Sequence, residues 1–254
     1  MFAKKSLGQN FIQDENFLKK FSNRIATNSK TEIIEIGSGK GALTKHLIKK
    51  NYNKLILIEK DDILINDLNI IKNLKPNIVI KHTDALKYNF LDLNIKSNSV
   101  IVGNLPFNIS SQLLIKWIML DKWPPFYEKM YLMFQKELGE RIIAKHNTKV
   151  YGKISVLSQF RCKIKKLFNA PSNIFYPRPK VEGIVLEFTP YNEYSHINID
   201  KLDLLLKKAF EQRRKKIKTS LKDYKKELET DNFDLNLRAE NLSVDDFCRI
   251  VNLI

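Results

Sequence analysis

Cysteine is scarce in this chain: two residues, Cys162 and Cys248, lie far apart and form no C-x-x-C arrangement. That spacing excludes a disulfide framework and a thiolate metal site. Histidine is equally thin, and His46, His82, His146 and His196 share no ligand spacing, so no metal is expected. The sequence contains no G-x-S-x-G, H-E-x-x-H or Walker lysine, which removes the common hydrolase, metalloprotease and P-loop readings. No apolar run is long enough to span a bilayer, and LLIKWIML is both short and interrupted by lysine. The opening MFAKKSLGQNFIQDEN has positive charge with no apolar stretch behind it, unlike a secretion signal, so a cytoplasmic location is expected. Acidic residues are the other deficit, 28 against 44 basic ones, for a formal net charge of +16. A polyanion such as nucleic acid is a natural partner for that surplus, although an anionic membrane, or solubility in a Lys- and Asn-rich chain, would use it equally.

What is present is enough to bury a core. At 254 residues and 43% hydrophobic, the chain can form one full-sized domain with room for a small second one. Short aliphatic runs alternate with helical patterns: TEIIEIG, KLILIEK, NIVIKHTDA, SNSVIVGNL and KMYLMFQ read as strands, with ALTKHLIKK, DDILINDLNII and SQLLIKWIML as helices between them. Continuous Ile/Val/Leu runs are what strands buried on both faces require, so the expected class is α/β, a mostly parallel sheet with helices on both faces. EGIVLEF adds one strand. Beyond Pro190 the pattern becomes helical, through KLDLLLKKAFEQRR, SLKDYKKELE and SVDDFCRIVNLI, the last opened by a capping box of Ser243 with Asp246. The expected division is 1–190 for the α/β domain and 191–254 for a small all-helical domain.

Ligands of open parallel sheets bind at the carboxyl ends of the strands. The first strand ends in EIGSGKGA, where Gly37 and Gly39 permit a sharp turn and close approach of a ligand to the backbone. Gly37, Gly39 and Ala42 also satisfy the dinucleotide form G-x-G-x-x-A, and a tight turn without ligand would read alike. The second strand ends in Glu59, placed where a carboxylate can accept from both hydroxyls of a ribose. The third ends in His82-Thr83-Asp84. Clustered carboxylates suit a sulfonium-bearing, phosphate-free adenosine ligand better than a pyrophosphate, which favours S-adenosylmethionine over a nicotinamide dinucleotide. Asp84 alone would serve equally well as a helix cap.

The fourth strand runs into GNLPFN. A planar exocyclic amine such as adenine N6 is a poor nucleophile because its lone pair is spread into the ring. Two acceptors receiving both amino hydrogens would draw the nitrogen toward tetrahedral geometry and free that lone pair. The Asn104 side-chain oxygen and the Leu105 carbonyl form such a pair, Pro106 stiffens the exit of the strand, and Phe107 offers a face for base stacking. A type I turn with a phenylalanine tucked into the core is the plain alternative.

Taken together, EIGSGKGALT, LIEKD, TDALKYNF and NLPFNISS, with KKSLGQNFI, FQKELGERI, FYPRPKVEG and AFEQRRKKIKTSL, resemble the ribosomal RNA adenine dimethyltransferases of the KsgA type, from about Lys4 to Leu221. The resemblance implies a Rossmann-like class I methyltransferase domain with a helical C-terminal domain that contacts RNA. It implies that Asn10 and Ile12 close over the methionine end of S-adenosylmethionine, that Gly37 and Gly39 pack beneath it, and that Glu59 holds the ribose and Asp84 the donor adenine. Asn104, Leu105, Pro106 and Phe107 would form the target-base pocket, with Asn104 also near the donor methyl. The implied reaction places two methyl groups on N6 of each of two adjacent adenosines in the 3′-terminal hairpin loop of small-subunit (16S) rRNA, within an assembling 30S subunit. No metal and no membrane partner are implied, and a monomer is expected. Phe107 stands where tyrosine is common in the family, Ser38 where proline is frequent, and EG follows PKV where an acid and a serine are usual.

Between Lys207 and Lys226 ten basic residues face two acids, a density that fits phosphate contacts, and Arg161, Lys163, Lys165 and Lys166 would extend that surface. The rivals are a large-subunit rRNA adenine methyltransferase of the antibiotic-resistance type, a DNA adenine methyltransferase, and a non-catalytic RNA-binding assembly factor. LGQNF and FEQRRK speak against the first, the lack of a sequence-reading insertion against the second, and intact Asn104 and Glu59 against the third.

Overall fold

In the computed structural model residues 8–93, 95 and 98–254 are described, so Lys4 to Leu7 of the KKSLGQNFI motif and Ser97 of the SNSVIV run lie outside the described residues. Chain order opens with β1 (Phe11–Ile12), α1 (Glu15–Arg24), β2 (Glu32–Ile36), α2 (Thr44–Leu47), β3 (Lys54–Glu59), α3 (Asp62–Lys72), β4 (Ile78–His82), β5 (Ser99–Asn104), α4 (Ser110–Ile118) and β6 (Tyr127–Gln135). It continues through α5 (Lys136–Ile142), α6 (Lys153–Arg161), β7 (Cys162–Ala170), β8 (Phe175–Tyr176), β9 (Gly183–Pro190), α7 (Ile199–Glu211), α8 (Ile217–Ser220), α9 (Lys225–Thr230) and α10 (Val244–Leu253).

Among the described residues, seven strands form one sheet in the order β4-β3-β2-β5-β6-β9-β7. The β4–β3, β3–β2, β2–β5 and β5–β6 pairs are parallel, and β9 returns antiparallel to β6. Both faces of the central strands are covered: Ile33 and Ile34, Leu55 and Ile56, Val100 and Ile101 are all buried, as the unbroken aliphatic runs require. One face packs against Phe17, Leu18 and Phe21 of α1, whose first turn is fastened by the Asp14 carboxylate accepting from Phe17 N at 2.7 Å. The winding proceeds outward from β2 through β3 to β4, then jumps back to β5 and continues to β6. The crevice where that order reverses lies between the carboxyl ends of β2 and β5, the place where such sheets hold ligands.

The described chain forms two compact units. The first takes residues up to Trp117 together with 124–139 and 165–190 and carries most of the sheet. The second joins residues 118–123, 140–164 and 191–254. Its centre is made by Leu202, Leu205 and Leu206 of α7 with Phe247 and Ile250 of α10, each buried, and α7 packs on α6, α8 and α10. The Ser243 box forms as expected: Ser243 Oγ accepts from Asp246 N at 3.1 Å, and the Asp246 carboxylate accepts from Ser243 N at 2.8 Å. Arg161 departs from expectation. It is 8% exposed, with its guanidinium 4.3 Å from the Trp123 ring centroid, so it belongs to the interior of the second unit and does not extend a basic surface. No described helix is long and apolar enough to cross a membrane.

Candidate active site

Four strand-end loops and the segment before α1 line a single cleft of about 1220 Å³, counted to its open mouth. The cleft lies wholly within the first unit. Each residue singled out from sequence borders it: Asn10 and Ile12 before α1, Gly37 and Gly39 after β2, Glu59 at the end of β3, and Asp84 after β4. From the end of β5 come Asn104, Leu105, Pro106 and Phe107.

The floor is the turn after β2. Gly37 and Gly39 hold φ of +67° and +58°, conformations that side chains rarely adopt. A Cβ on Gly39 would stand 3.2 Å from Cε1 of Phe11, and one on Gly37 would lie 3.7 Å from Pro106 Cδ. The glycine turn is therefore roofed by the Phe11 ring on one side and touches the GNLPFN turn on the other. Lys40 Nζ lies 5.3 Å from the same Phe11 ring.

Glu59 is 7% exposed and its carboxylate is tied down by backbone donors: Gly39 N at 2.8 Å on Oε2, with Lys60 N at 2.8 Å and Asp61 N at 2.9 Å on Oε1. It bridges the β2 and β3 loops before any ligand arrives, and a carboxylate with about four acceptor sites keeps capacity for a hydroxyl. Asp84 accepts from Leu86 N at 3.0 Å on Oδ1 and from Lys60 Nζ at 2.8 Å on Oδ2. The Lys60 hydrogen bond, aided by the Leu86 amide, holds this carboxyl below its ordinary range.

Asn104 donates through Nδ2 to the carbonyl of Asn10 at 2.9 Å, which commits the amide nitrogen and leaves Oδ1 as the unengaged end. Among the described residues nothing donates to Asn104 Oδ1 or to the Leu105 carbonyl oxygen. Leu105 itself is rooted by a side chain 1% exposed, and the Pro106 carbonyl accepts from Ile109 N at 3.1 Å as α4 begins. Phe107 is half-buried, with its ring edge-on to Phe175 at 6.4 Å. Phe175 arrives through the two-stranded ribbon β1–β8, where Phe11 pairs with Tyr176 and Ile12 with Phe175.

Sequence reasoning named no role for Phe11, Lys60, Phe175 or Glu35. Glu35 has the plainest signal in retrospect, an acid inside the buried run EIIEI. It is 2% exposed, accepts from Thr44 Oγ1 at 2.7 Å, and burial, with the nearby Glu59 charge, pushes its pKa to about 8. Phe11 and Phe175 sit inside quoted motifs, but their meeting depends on a ribbon of two residues a side, too short to show a period.

A switch-point crevice with a glycine-turn floor and acids at successive strand ends defines a Rossmann-like methyltransferase. Residues 2–254 match the family described as Ribosomal RNA adenine dimethylase. The chain is 39% identical over 255 residues to "Ribosomal RNA small subunit methyltransferase A" of Allorhizobium ampelinum, covering 99% of this chain and 93% of that one. It is 40% identical over 257 residues to the protein of the same name from Bartonella tribocorum, with the same coverage of 99% and 93%. Among solved structures, a dimethyladenosine transferase from Plasmodium falciparum superposes with TM-score 0.80 at 25% identity, covering 94% of this chain and 95% of that one. The 23S rRNA methyltransferase ErmE shares the fold, with TM-score 0.71 at 17% identity over 96% of this chain and 98% of that one. The chain belongs to the ribosomal RNA adenine dimethylase family and is a methyltransferase enzyme.

Proposed function

We propose that this enzyme dimethylates N6 of two adjacent adenosines in the 3′-terminal hairpin loop of small-subunit rRNA, taking its methyl groups from S-adenosylmethionine during assembly of the 30S subunit. The observation that carries the mechanism is the pair of unengaged acceptors, Asn104 Oδ1 and the Leu105 carbonyl, beside the half-buried face of Phe107.

The residues present fit the donor. The glycine turn leaves a cradle that a Cβ at Gly39 would crowd, and Glu59 and Asp84 present carboxylates to the same cleft, which suits the hydroxyls and amine of an adenosine. S-Adenosylmethionine supplies an electrophilic methyl on a sulfonium; the remaining work is orientation and desolvation by the chain. Asn10 and Ile12 cover the methionine end, Glu59 holds the ribose hydroxyls, and Asp84 receives the donor N6 amine alongside Lys60. On the acceptor side, Phe107 stacks the extruded adenine while Asn104 Oδ1 and the Leu105 carbonyl take its two amino hydrogens, so that the nitrogen lone pair faces the methyl. Each transfer would break the donor's S–CH3 bond to leave a neutral thioether, and the methylated N6 would lose one proton to solvent; the single N–H left after the first is shared by the two acceptors as the amine rotates for the second. No metal takes part in this scheme, and the protein acts as a cytoplasmic monomer.

RNA is held chiefly by the second unit, through exposed Lys207, Arg214, Lys215, Lys222 and Lys226. Others of the basic run are engaged within the chain: Arg213 donates to the Lys149 and Tyr151 carbonyls at 2.7 Å, and Lys208 pairs with Asp223 at 2.9 Å. Extruding the target base is cheapest from a loop, which suits a hairpin substrate. The test offers labelled S-adenosylmethionine with undermethylated small subunits, large subunits and DNA, then maps the labelled nucleotides. N6,N6-dimethyladenosine at two adjacent small-subunit positions is expected; label confined to large subunits or DNA would overturn the reading.

A further inference from the structure

The turn that follows β4 is held by a residue far away in sequence. Lys116, in the last turn of α4, points its ammonium at three backbone carbonyls: Ala85 at 3.3 Å, Leu86 at 2.7 Å and Tyr88 at 2.6 Å. An ammonium has three donors, and these bonds use all of them. Its Nζ also stands 5.5 Å from the centroid of the Phe90 ring. Burial lowers the Lys116 pKa while the Asp84 charge opposes that effect.

The carbonyls need such a partner. Lys87 N and Tyr88 N both donate to the Asp84 carbonyl, at 3.0 and 2.9 Å, so residues 84–88 make one helical turn that goes no further. A turn that stops leaves its last carbonyls without donor partners, and a lysine side chain can cap them as it does at the end of a longer helix. β4 is also the edge strand of the sheet, so this loop has a neighbouring strand on one side only. α4 starts at Ser110, directly after the GNLPFN turn, and reaches the 85–88 turn two residues before it ends. One short helix thus joins the target-base side of the cleft to the wall formed by Asp84, Ala85 and Leu86.

We infer that Lys116 is a positioning residue: by capping the 85–88 turn it holds Asp84 and its neighbours in the arrangement that recognises the purine of the methyl donor. This rests on the reading of Asp84 as a contact of the donor N6 amine.

Calorimetric titration of S-adenosylhomocysteine and S-inosylhomocysteine, the second lacking the N6 amine, tests both statements without any methyl transfer. The wild-type chain should prefer the adenine compound by about tenfold, the worth of roughly one net hydrogen bond. Lys116→Met should lower affinity for S-adenosylhomocysteine about tenfold and shrink the preference to under about threefold, while Lys116→Arg retains most of it. Lys116→Gln replaces the methionine variant if thermal melts show that the latter does not fold. Equal weakening of both compounds, or no change in either, would overturn the role of Lys116 and leave Asp84 in place. Absence of any preference in the wild-type chain would instead remove the Asp84 reading, and this inference with it.

Discussion

Glu35 is a carboxyl group walled into the sheet beneath the glycine turn, and its titration reaches the stability of the whole chain. The folded protein keeps this proton up to about pH 8, whereas an exposed glutamate releases it near 4.5, so unfolding releases a proton across that window. Stability therefore falls as pH rises from about 5 to about 8. Glu35→Gln, which can still accept from Thr44, should flatten the pH dependence of Tm over that range in calorimetric scans; parallel slopes for the two proteins would refute the assignment. Phe107 makes a second prediction of this kind. Phe107→Tyr keeps a stacking face and should methylate at close to the parent rate, whereas Phe107→Ala should lose roughly 1–3 kcal/mol, read as weaker capture of RNA in kcat/KM. At this scale the sequence was most legible where chemistry demands an unusual residue, as in Asn104-Leu105-Pro106-Phe107. It was least legible where a common residue serves by position alone: Lys60 reaches Asp84 only because β3 and β4 pair, bringing Glu59 opposite His82.

Elements were readable in proportion to their periodicity. The runs that became β2, β3, β5 and β9 are largely aliphatic because both faces are mostly buried, β4 and β6 keep apolar centres, and α7 and α10 announce themselves through spacing and caps. Missed was β7, whose sequence CKIKKLFNA exposes lysines at the sheet edge; charge of that kind discourages pairing with another chain and hides the strand from a reader of hydrophobicity. The β1–β8 ribbon was missed for its brevity. Ser243→Ala should cost about 1 kcal/mol by removing the cap of α10, a fall of roughly 2–4 °C in Tm. Gly39→Ala should act on binding instead, since a side chain is strained at its positive φ and a methyl group would crowd the Phe11 ring at 3.2 Å. S-Adenosylhomocysteine affinity should drop at least about tenfold by calorimetry, and unchanged affinity would show that the turn is not the cofactor floor.

For the whole molecule, the net charge of +16 pointed to a polyanion but could not say where on the surface it would bind. Arg161 shows why: a basic residue in a basic stretch is buried against Trp123, which no count of charges reveals. Arg214 and Lys215 are exposed in the turn between α7 and α8. Binding of small-subunit rRNA should weaken steeply with salt, and alanine at both positions should reduce the slope of log K against log salt by roughly 2, about one for each phosphate no longer neutralised. A slope unchanged by the double substitution would move the RNA-binding surface elsewhere.

Methyl transfer turns on two acceptors clamping one amine, and single-turnover methylation at saturating S-adenosylmethionine measures that directly. Asn104→Ala removes one acceptor and should slow transfer by about 10²–10³-fold, the usual consequence of deleting one preorganised hydrogen-bond partner of a transition state. Dimethylation at near-parent rate by a folded Asn104→Ala enzyme would contradict it.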